Sequence, residues 1–151
     1  MQLYELSLTE VAEKIRTREV SPVEVTQSSL DRLAEVEPAI TAFVTVTGEE
    51  ALTRAAEVEL EIGSGHYRGP LHGIPLGVKD LYDTAGILTT SSSQQRATNV
   101  PTADSASVAK LYDAGMIMVG KTQTHEFAYG ATTPTAGNPW DVTRTPGGSS
   151  G

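Results

Sequence analysis

Lys79 stands at the end of a predicted strand, where a side-chain amine could serve as a general base. Along residues 74–79, apolar positions alternate with Pro75, Gly77 and Lys79, so the lysine shares one face of the strand with Gly77. We expect Gly77 to leave open space in which the lysine lies along the sheet. A lysine amine in a low dielectric loses its preference for the charged form and can accept a proton. The alternative is a strand-end lysine paired with Asp80 in water.

The second candidate is the loop Gly147-Gly148-Ser149-Ser150-Gly151. Paired glycines allow backbone conformations that are closed to other residues, and neighbouring hydroxyls can donate, accept and relay protons. The same composition is typical of a flexible linker, although the Trp and Pro residues just before it are not. Because a serine activated by a lysine is a known variant of the catalytic triad, Lys79 and Ser149 together suggest nucleophilic catalysis. Neither motif alone establishes a site.

The histidines do not have a metal-binding spacing. His125 lacks the second histidine of an H-E-x-x-H helix, and His66 and His72 flank a glycine-rich turn. We expect all three to be structural or surface residues. The chain also lacks the glycine-rich motifs that bind phosphates or dinucleotides. We therefore predict neither a metal nor a cofactor.

Composition excludes several function classes. The chain has 151 residues, a formal net charge of −8 and no cysteine. Its length allows one domain with a hydrophobic core, and its acidity argues against nucleic acid or an anionic membrane as partner. The absence of cysteine excludes disulfides and thiol catalysis. Without a signal peptide or an apolar run of roughly 20 residues, we expect a cytoplasmic protein.

Two capping boxes predict the starts of two helices near the beginning of the chain. Ser7 and Glu10 form the first box, and Ser21 and Glu24 form the second. Pro22 falls at the first helical position, where its missing N–H costs little.

A strand and a third helix follow the two capped helices. We place Pro38 beyond the end of the second helix and a strand at residues 42–46. Thr47 and Glu50 predict a third capping box, for a helix that ends near Gly63.

The second half of the chain alternates strands, loops and helices. In order, we predict a strand at residues 74–79, a polar loop at 86–102, a helix capped by Asp104 that runs to Asp113 and ends at Gly115, and a short buried strand at 116–119 stopped by Gly120.

These elements predict an α/β fold with a mixed sheet and helices on both faces. Residues 1–66 form an N-terminal helical segment, and residues 67–151 form the start of the core. We expect both parts to belong to one structural domain.

Three segments of the second half resemble motifs of the amidase signature family. Residues 73–80 (GIPLGVKD) are similar to its G-I-P-x-x-V-K-D motif, and residues 120–128 (GKTQTHEFA) to its G-K-T-N-x-x-E-F-A segment. Residues 138–151 (NPWDVTRTPGGSSG) are similar to its N-P-W-D-x-x-R-x-P-G-G-S-S-G-G stretch. The resemblance covers residues 69–151 closely and the helical segment more loosely. It implies the amidase signature fold, of which this chain is the N-terminal portion.

The resemblance implies a Ser-cisSer-Lys triad. Lys79 corresponds to the base, and Ser149 to the bridging serine, which a cis peptide precedes in the family. Gly147, Gly148 and Ser150 correspond to the supporting loop. The family's nucleophilic serine lies in a later G-G-S-[IV]-R motif that these residues do not contain. We therefore expect the chain to be a fragment of an amide hydrolase, inactive by itself.

The substrate and partners are less closely defined. Where this chain has His125, subunits that supply ammonia for tRNA-dependent amidation often have aspartate, which favours a free-standing amidase with a small or aryl amide substrate. The alternatives are the glutaminase-type subunit of a tRNA-dependent amidotransferase, which would need partner subunits, and a non-catalytic domain of the same fold. A homodimer is one assembly that the protein could form.

Overall fold

In residues 2–151, which the computed structural model describes, the chain forms four α-helices and three β-strands. In chain order these are α1 Leu8–Arg16, α2 Pro22–Ile40, β1 Phe43–Val46, α3 Gly48–Gly63, β2 Pro75–Lys79, α4 Ala106–Asp113 and β3 Ile117–Thr122. Short 3-10 helices lie at Leu3–Glu5, Gln94–Arg96 and Glu126–Ala128. Within this part of the chain, no helix has the length and apolar character needed to cross a membrane.

The three strands form one sheet in the order β1-β3-β2. β1 runs antiparallel to β3, with Thr45 opposite Lys121. β2 runs parallel to β3, since the Ile117 N–H donates to the Ile74 carbonyl and the Asp80 N–H to the Thr122 carbonyl, both at 2.9 Å. The mixed sheet and the helices confirm the predicted α/β class. Because β2 and β3 are parallel, Lys79 and Thr122 lie at the same edge of the sheet.

The chain folds into two compact units, each assembled from separate segments. Unit 1 consists of the chain up to Ala34, Thr47–Leu76 and Lys110–Val119. Unit 2 consists of Glu35–Val46, Gly77–Ala109 and Gly120–Gly151. The predicted boundary between residues 66 and 67 stays a prediction.

The core of unit 1 is built from helix faces and the start of β3. Ile15 of α1, Ala55 and Val58 of α3, and Ile117 of β3 are each at most 1% exposed. The 3- and 4-residue spacing of apolar positions along α1 and α3 is what an amphipathic helix needs to bury one face.

Both capping boxes predicted near the beginning of the chain are confirmed. The Glu10 N–H donates to Ser7 Oγ at 3.3 Å, and the Ser7 N–H donates to Glu10 Oε2 at 2.8 Å. Ser21 and Glu24 make the same reciprocal pair at 3.1 and 2.8 Å. The hydrogen bonds from Ser7 lower the pKa of the Glu10 carboxyl. These contacts satisfy backbone donors that the first helical turn leaves unpaired.

Two predictions about the ends of α2 and α3 are wrong. Pro38 lies inside the last turn of α2, where its ring removes only one late hydrogen bond. The carboxylate of Glu37 accepts from the N–H groups of Ala42 and Phe43, at 3.0 and 2.8 Å, just past the helix end. Thr47 precedes α3, but its side chain does not cap the helix, because the hydroxyl donates to the Met118 carbonyl at 3.2 Å.

The predicted cap of α4 is also wrong, whereas its predicted end is confirmed. Asp104 Oδ1 accepts from the Ala85 N–H at 2.7 Å, and α4 starts two residues later. Gly115 has a φ of 87°. The Gly115 N–H donates to the Tyr112 carbonyl at 2.8 Å and the Met116 N–H to the Leu111 carbonyl at 3.1 Å, which is a Schellman motif.

Gly120 does not stop β3, contrary to the prediction. The strand continues to Thr122, and Gly120 pairs with Val46 of β1. A Cβ atom at position 120 would lie 2.8 Å from Phe43 Cδ1 and would also meet the Thr45 carbonyl oxygen. The glycine therefore allows close approach of β1 within the strand instead of ending it.

His72 is a fully buried histidine of unit 1. Its ring is 0% exposed, its Nδ1 accepts from the Arg68 N–H at 3.2 Å, and its Nε2 lies 3.3 Å from Glu61 Oε2. Burial lowers the pKa of His72, the positive charges of Arg68 and Arg54 lower it further, and the Glu61 carboxylate opposes the change. The expectation that His72 is a structural residue agrees with this burial.

The lowered pKa of His72 predicts a pH dependence of stability. Because the unfolded chain binds the proton more readily, the free energy of unfolding should fall as the pH decreases below about 6.5, the ordinary histidine value, towards the lower folded-state pKa. Substitution His72→Asn keeps an acceptor near the Nδ1 position and removes the titration. We expect urea unfolding to lose less stability between about pH 8 and about pH 5 in this variant than in the wild type. An unchanged slope in His72→Asn, or an equal change in the exposed control His66→Asn, would contradict this account.

Candidate active site

Lys79 and Ser149 are in direct contact, although 70 residues separate them in the sequence. The Lys79 Nζ donates a hydrogen bond to Ser149 Oγ at 2.6 Å. Both side chains belong to unit 2 and are half-buried. Lys79 is the last residue of β2, so its side chain starts at the C-terminal end of that strand. The structure thus brings together the two residues that the sequence singles out.

Gly77 is exposed, but side chains of β3 and β1 approach it on one side. A Cβ atom at position 77 would lie 3.1 Å from Thr122 Cγ2 and 3.7 Å from Phe43 Cζ. The amine of Lys79 reaches the Ser149 hydroxyl.

The 147–151 loop is fixed along the segment that follows β3. The His125 N–H donates to the Ser149 carbonyl and the Gly151 N–H to the Gln123 carbonyl, both at 2.9 Å. Thr124 and Ser150 form an antiparallel bridge between these bonds. Backbone pairing at three successive positions is not a property of a flexible linker. The peptide between Gly148 and Ser149 is cis, as the family resemblance implies.

The two glycines before Ser149 differ in what they require. A Cβ atom at Gly148 would lie 2.5 Å from the carbonyl oxygen and 2.7 Å from Cα of Thr132. Gly147 has a φ of 105° and open space around its Cα. Ser150 is exposed. Gly148 thus supports the loop by close packing, and Gly147 by a backbone conformation that other residues rarely adopt.

Asp80, the residue after Lys79, makes four hydrogen bonds. Its carboxylate is fully buried, and Oδ2 accepts from the N–H and the hydroxyl of Thr90 at 2.9 and 2.6 Å. Its N–H donates to the Thr122 carbonyl at 2.9 Å, and its carbonyl accepts from the Ser91 N–H at 2.8 Å. The backbone that carries Lys79 is therefore fixed immediately beyond the strand.

Lys121, in β3, is also fully buried. Its amine donates to the Tyr82 carbonyl and to Thr89 Oγ1, both at 2.7 Å, and to Thr84 Oγ1 at 3.2 Å. Asp80 Oδ1 lies 3.7 Å away. Burial lowers the pKa of Lys121, and the Asp80 carboxylate acts in the opposite direction.

The sequence alone predicts Asp80 only as an alternative partner of Lys79 in water, and it assigns no role to Lys121. The sequence did contain a signal for the burial of Lys121, because this lysine continues a run of buried strand residues. A lysine in such a position needs hydrogen-bonding partners in the interior.

Backbone strain is concentrated next to this site. Ser91, Ser92, Phe127 and Ala128 have φ values of 55°, 50°, 48° and 58°. The Phe127 N–H donates to the Ser91 carbonyl at 3.0 Å, so the two strained turns are joined. Non-glycine residues in this conformation cluster at functional sites, where the surrounding structure holds them.

The family model described as Amidase matches residues 24–151. The match covers most of the chain, and this chain therefore belongs to the amidase signature family.

Similar proteins include two named activities. A glutamyl-tRNA(Gln) amidotransferase subunit from Carboxydothermus hydrogenoformans is 48% identical over 100% of this chain and 32% of its own length. An amidase from Pseudomonas putida is 48% identical over 96% of this chain and 31% of its own length. The native peptide amidase of Stenotrophomonas maltophilia has a similar structure, with a TM-score of 0.88 and 30% identity over 97% of this chain and 32% of that one. The chain thus spans about a third of the relatives it matches.

The close packing of Gly148 predicts that a methyl group there is not tolerated. Substitution Gly148→Ala should lower the free energy of unfolding by about 1–3 kcal/mol, because the Thr132 backbone has to move. Gly63 is a matched control, since a Cβ atom there meets nothing within 4 Å. Denaturant unfolding of the two alanine variants measures the difference. Equal stability of Gly148→Ala and Gly63→Ala would show that the loop accommodates a methyl group at position 148, which would contradict the prediction.

Proposed function

We propose that Lys79 and Ser149 form the base end of a proton relay for amide hydrolysis. The observation that carries this proposal is the 2.6 Å separation of Lys79 Nζ and Ser149 Oγ. At this distance a proton can pass between the two atoms. A solvated surface lysine has no need of such a partner, and a domain that only binds a partner has no need of the pair.

The relay begins with Lys79 in its amine form. The lone pair of Nζ accepts the proton of the Ser149 hydroxyl, while Ser149 Oγ takes the proton of a nucleophilic serine. That serine attacks the amide carbonyl, and the tetrahedral intermediate collapses with cleavage of the C–N bond. The same relay in reverse protonates the leaving nitrogen. Water then hydrolyses the acyl-enzyme and regenerates the serine.

The nucleophilic serine lies, in this proposal, outside residues 1–151. The family resemblance places it in a later G-G-S-[IV]-R motif, whose backbone N–H groups would also stabilise the oxyanion. The chain spans about a third of its relatives, which is consistent with such an arrangement. Residues 1–151 alone would then not hydrolyse amides, because no acyl-enzyme can form.

The proposed substrate is a small or aryl amide. Support for an amidase comes from the similarity to the amidase of Pseudomonas putida. His125, at a position where amidotransferase subunits often carry aspartate, favours the same class.

A second candidate is the glutaminase-type subunit of a tRNA-dependent amidotransferase. The observation in its favour is the 48% identity to the amidotransferase subunit from Carboxydothermus hydrogenoformans. That function would use glutamine as the amide donor and would depend on partner subunits. Purification of the natural protein distinguishes the two candidates. Glutamine hydrolysis that needs co-purifying chains supports the amidotransferase, whereas hydrolysis of simple amides without them supports the amidase.

The relay predicts a large loss of activity on removal of either side chain. In an active protein that contains this segment, Lys79→Ala or Ser149→Ala should reduce kcat/KM for amide hydrolysis by about 100- to 10,000-fold. The exposed Lys110 offers a matched control, and Lys110→Ala should retain full activity. Amide turnover that survives Lys79→Ala would refute the relay.

The location of the nucleophile has its own test. Mass spectrometry of the natural protein should give a mass greatly above the 16.0 kDa of these residues. Purified residues 1–151 should show no amide hydrolysis. Hydrolysis by these residues alone would place a nucleophile among them and would contradict this part of the proposal.

A further inference from the structure

Lys121 has a buried amine close to Lys79 and Ser149, and the proposed relay does not use this amine. The side chain is 0% exposed. An ammonium group has three N–H donors and no acceptor, and Lys121 has three acceptors, at 2.7, 2.7 and 3.2 Å. The number of acceptors matches the charged form. The Asp80 carboxylate at 3.7 Å supplies the opposite charge.

All three acceptors lie on the segment that directly follows Lys79. They are the Tyr82 carbonyl and the hydroxyls of Thr84 and Thr89. The same segment returns to Lys79, because the Tyr82 N–H donates to the Lys79 carbonyl at 3.1 Å. One buried amine, that of Lys121, therefore binds three groups of the segment that follows β2.

We propose that Lys121 is a positioning residue for Lys79, acting through this segment and through Asp80. The inference deepens the proposed function, since it concerns the lysine assigned there as the base. With Lys121 in place, Asp80 and residues 82–89 fix the backbone that directly follows Lys79. The amine of Lys79 is then held at the Ser149 hydroxyl.

An apolar residue at position 121 would fill space but could not make these contacts. The hydroxyls of Thr84 and Thr89 and the Tyr82 carbonyl would lose the hydrogen bonds that Lys121 donates to them, and the buried Asp80 would lose the cation 3.7 Å away. Both changes favour rearrangement of the segment. The proposal therefore predicts a displaced Lys79 amine as well as a lower stability.

Nuclear magnetic resonance on the full-length protein labelled with 13C at the lysine Cε tests this directly. Residues 1–151 contain four lysines, Lys14, Lys79, Lys110 and Lys121, and substitution of each one assigns its signal. In the wild type, Ser149→Ala should move the Lys79 signal, because it removes the hydrogen-bond partner of Nζ. If Ser149→Ala leaves the Lys79 signal unchanged, the contact behind the proposed function fails.

The positioning role is read from a double-mutant cycle. In Lys121→Met, the Lys79 signal should shift in the same direction as in Ser149→Ala, and the further effect of Ser149→Ala should fall to less than about half of its wild-type size. Lys110→Met is the matched control and should leave the effect unchanged. A folded Lys121→Met protein with the full Ser149→Ala effect would overturn the positioning role, while the Lys79–Ser149 contact would stand.

A milder variant covers the case in which Lys121→Met does not fold. Thr89→Val has nearly the same shape and removes one acceptor of the Lys121 amine. It should reduce the effect of Ser149→Ala on Lys79 partially, in the same direction. A full effect in folded Thr89→Val, with a lowered free energy of unfolding, would assign the Lys121 contacts to stability alone.

Discussion

A lysine ammonium without access to water requires protein groups for each of its donors and a compensating charge, and Lys121 imposes this requirement on unit 2. The requirement is met by a carbonyl and two hydroxyls from residues 82–89 and by the Asp80 carboxylate. A segment with little regular structure thereby acquires a fixed course. Because that segment begins next to Lys79, the electrostatics of one strand constrain a side chain on its neighbour. The last part of this segment, residues 86–89, belongs to the polar loop that the sequence predicts at residues 86–102, and Thr89 of that loop accepts a hydrogen bond from Lys121 of β3.

β3 and its continuation serve as the common reference for both halves of the proposed relay. The Asp80 N–H bonds to the Thr122 carbonyl and the Ser149 carbonyl accepts from the His125 N–H, each at 2.9 Å. Lys79 and Ser149 are thus attached to the same stretch of backbone, only a few residues apart. These two backbone attachments place the side chains of Lys79 and Ser149 within 2.6 Å of each other. Such preorganisation limits the reorganisation that proton transfer would require.

The success of the sequence predictions depended on how far the interacting groups lie apart along the chain. The Ser7–Glu10 and Ser21–Glu24 boxes span three residues, so propensity and spacing suffice to predict them. Thr47 looks equally suited to a cap, but its hydroxyl bonds to Met118, 71 residues away. Asp104 likewise bonds to Ala85. Residues with several potential partners cannot be assigned from local patterns, because tertiary contacts compete with local ones.

Within the motifs that mark the family, some residues are required by close packing and others make polar contacts. Gly120 and Gly148 each occupy a position where a Cβ atom would meet backbone or a ring closer than ordinary van der Waals contact. Their presence therefore follows from packing of β1 on β3 and of the 147–151 loop on Thr132. Lys79 and Ser149 differ from these glycines, since both have half-buried side chains that make a polar contact. Their hydrogen bond of 2.6 Å is the contact on which the proposed relay depends.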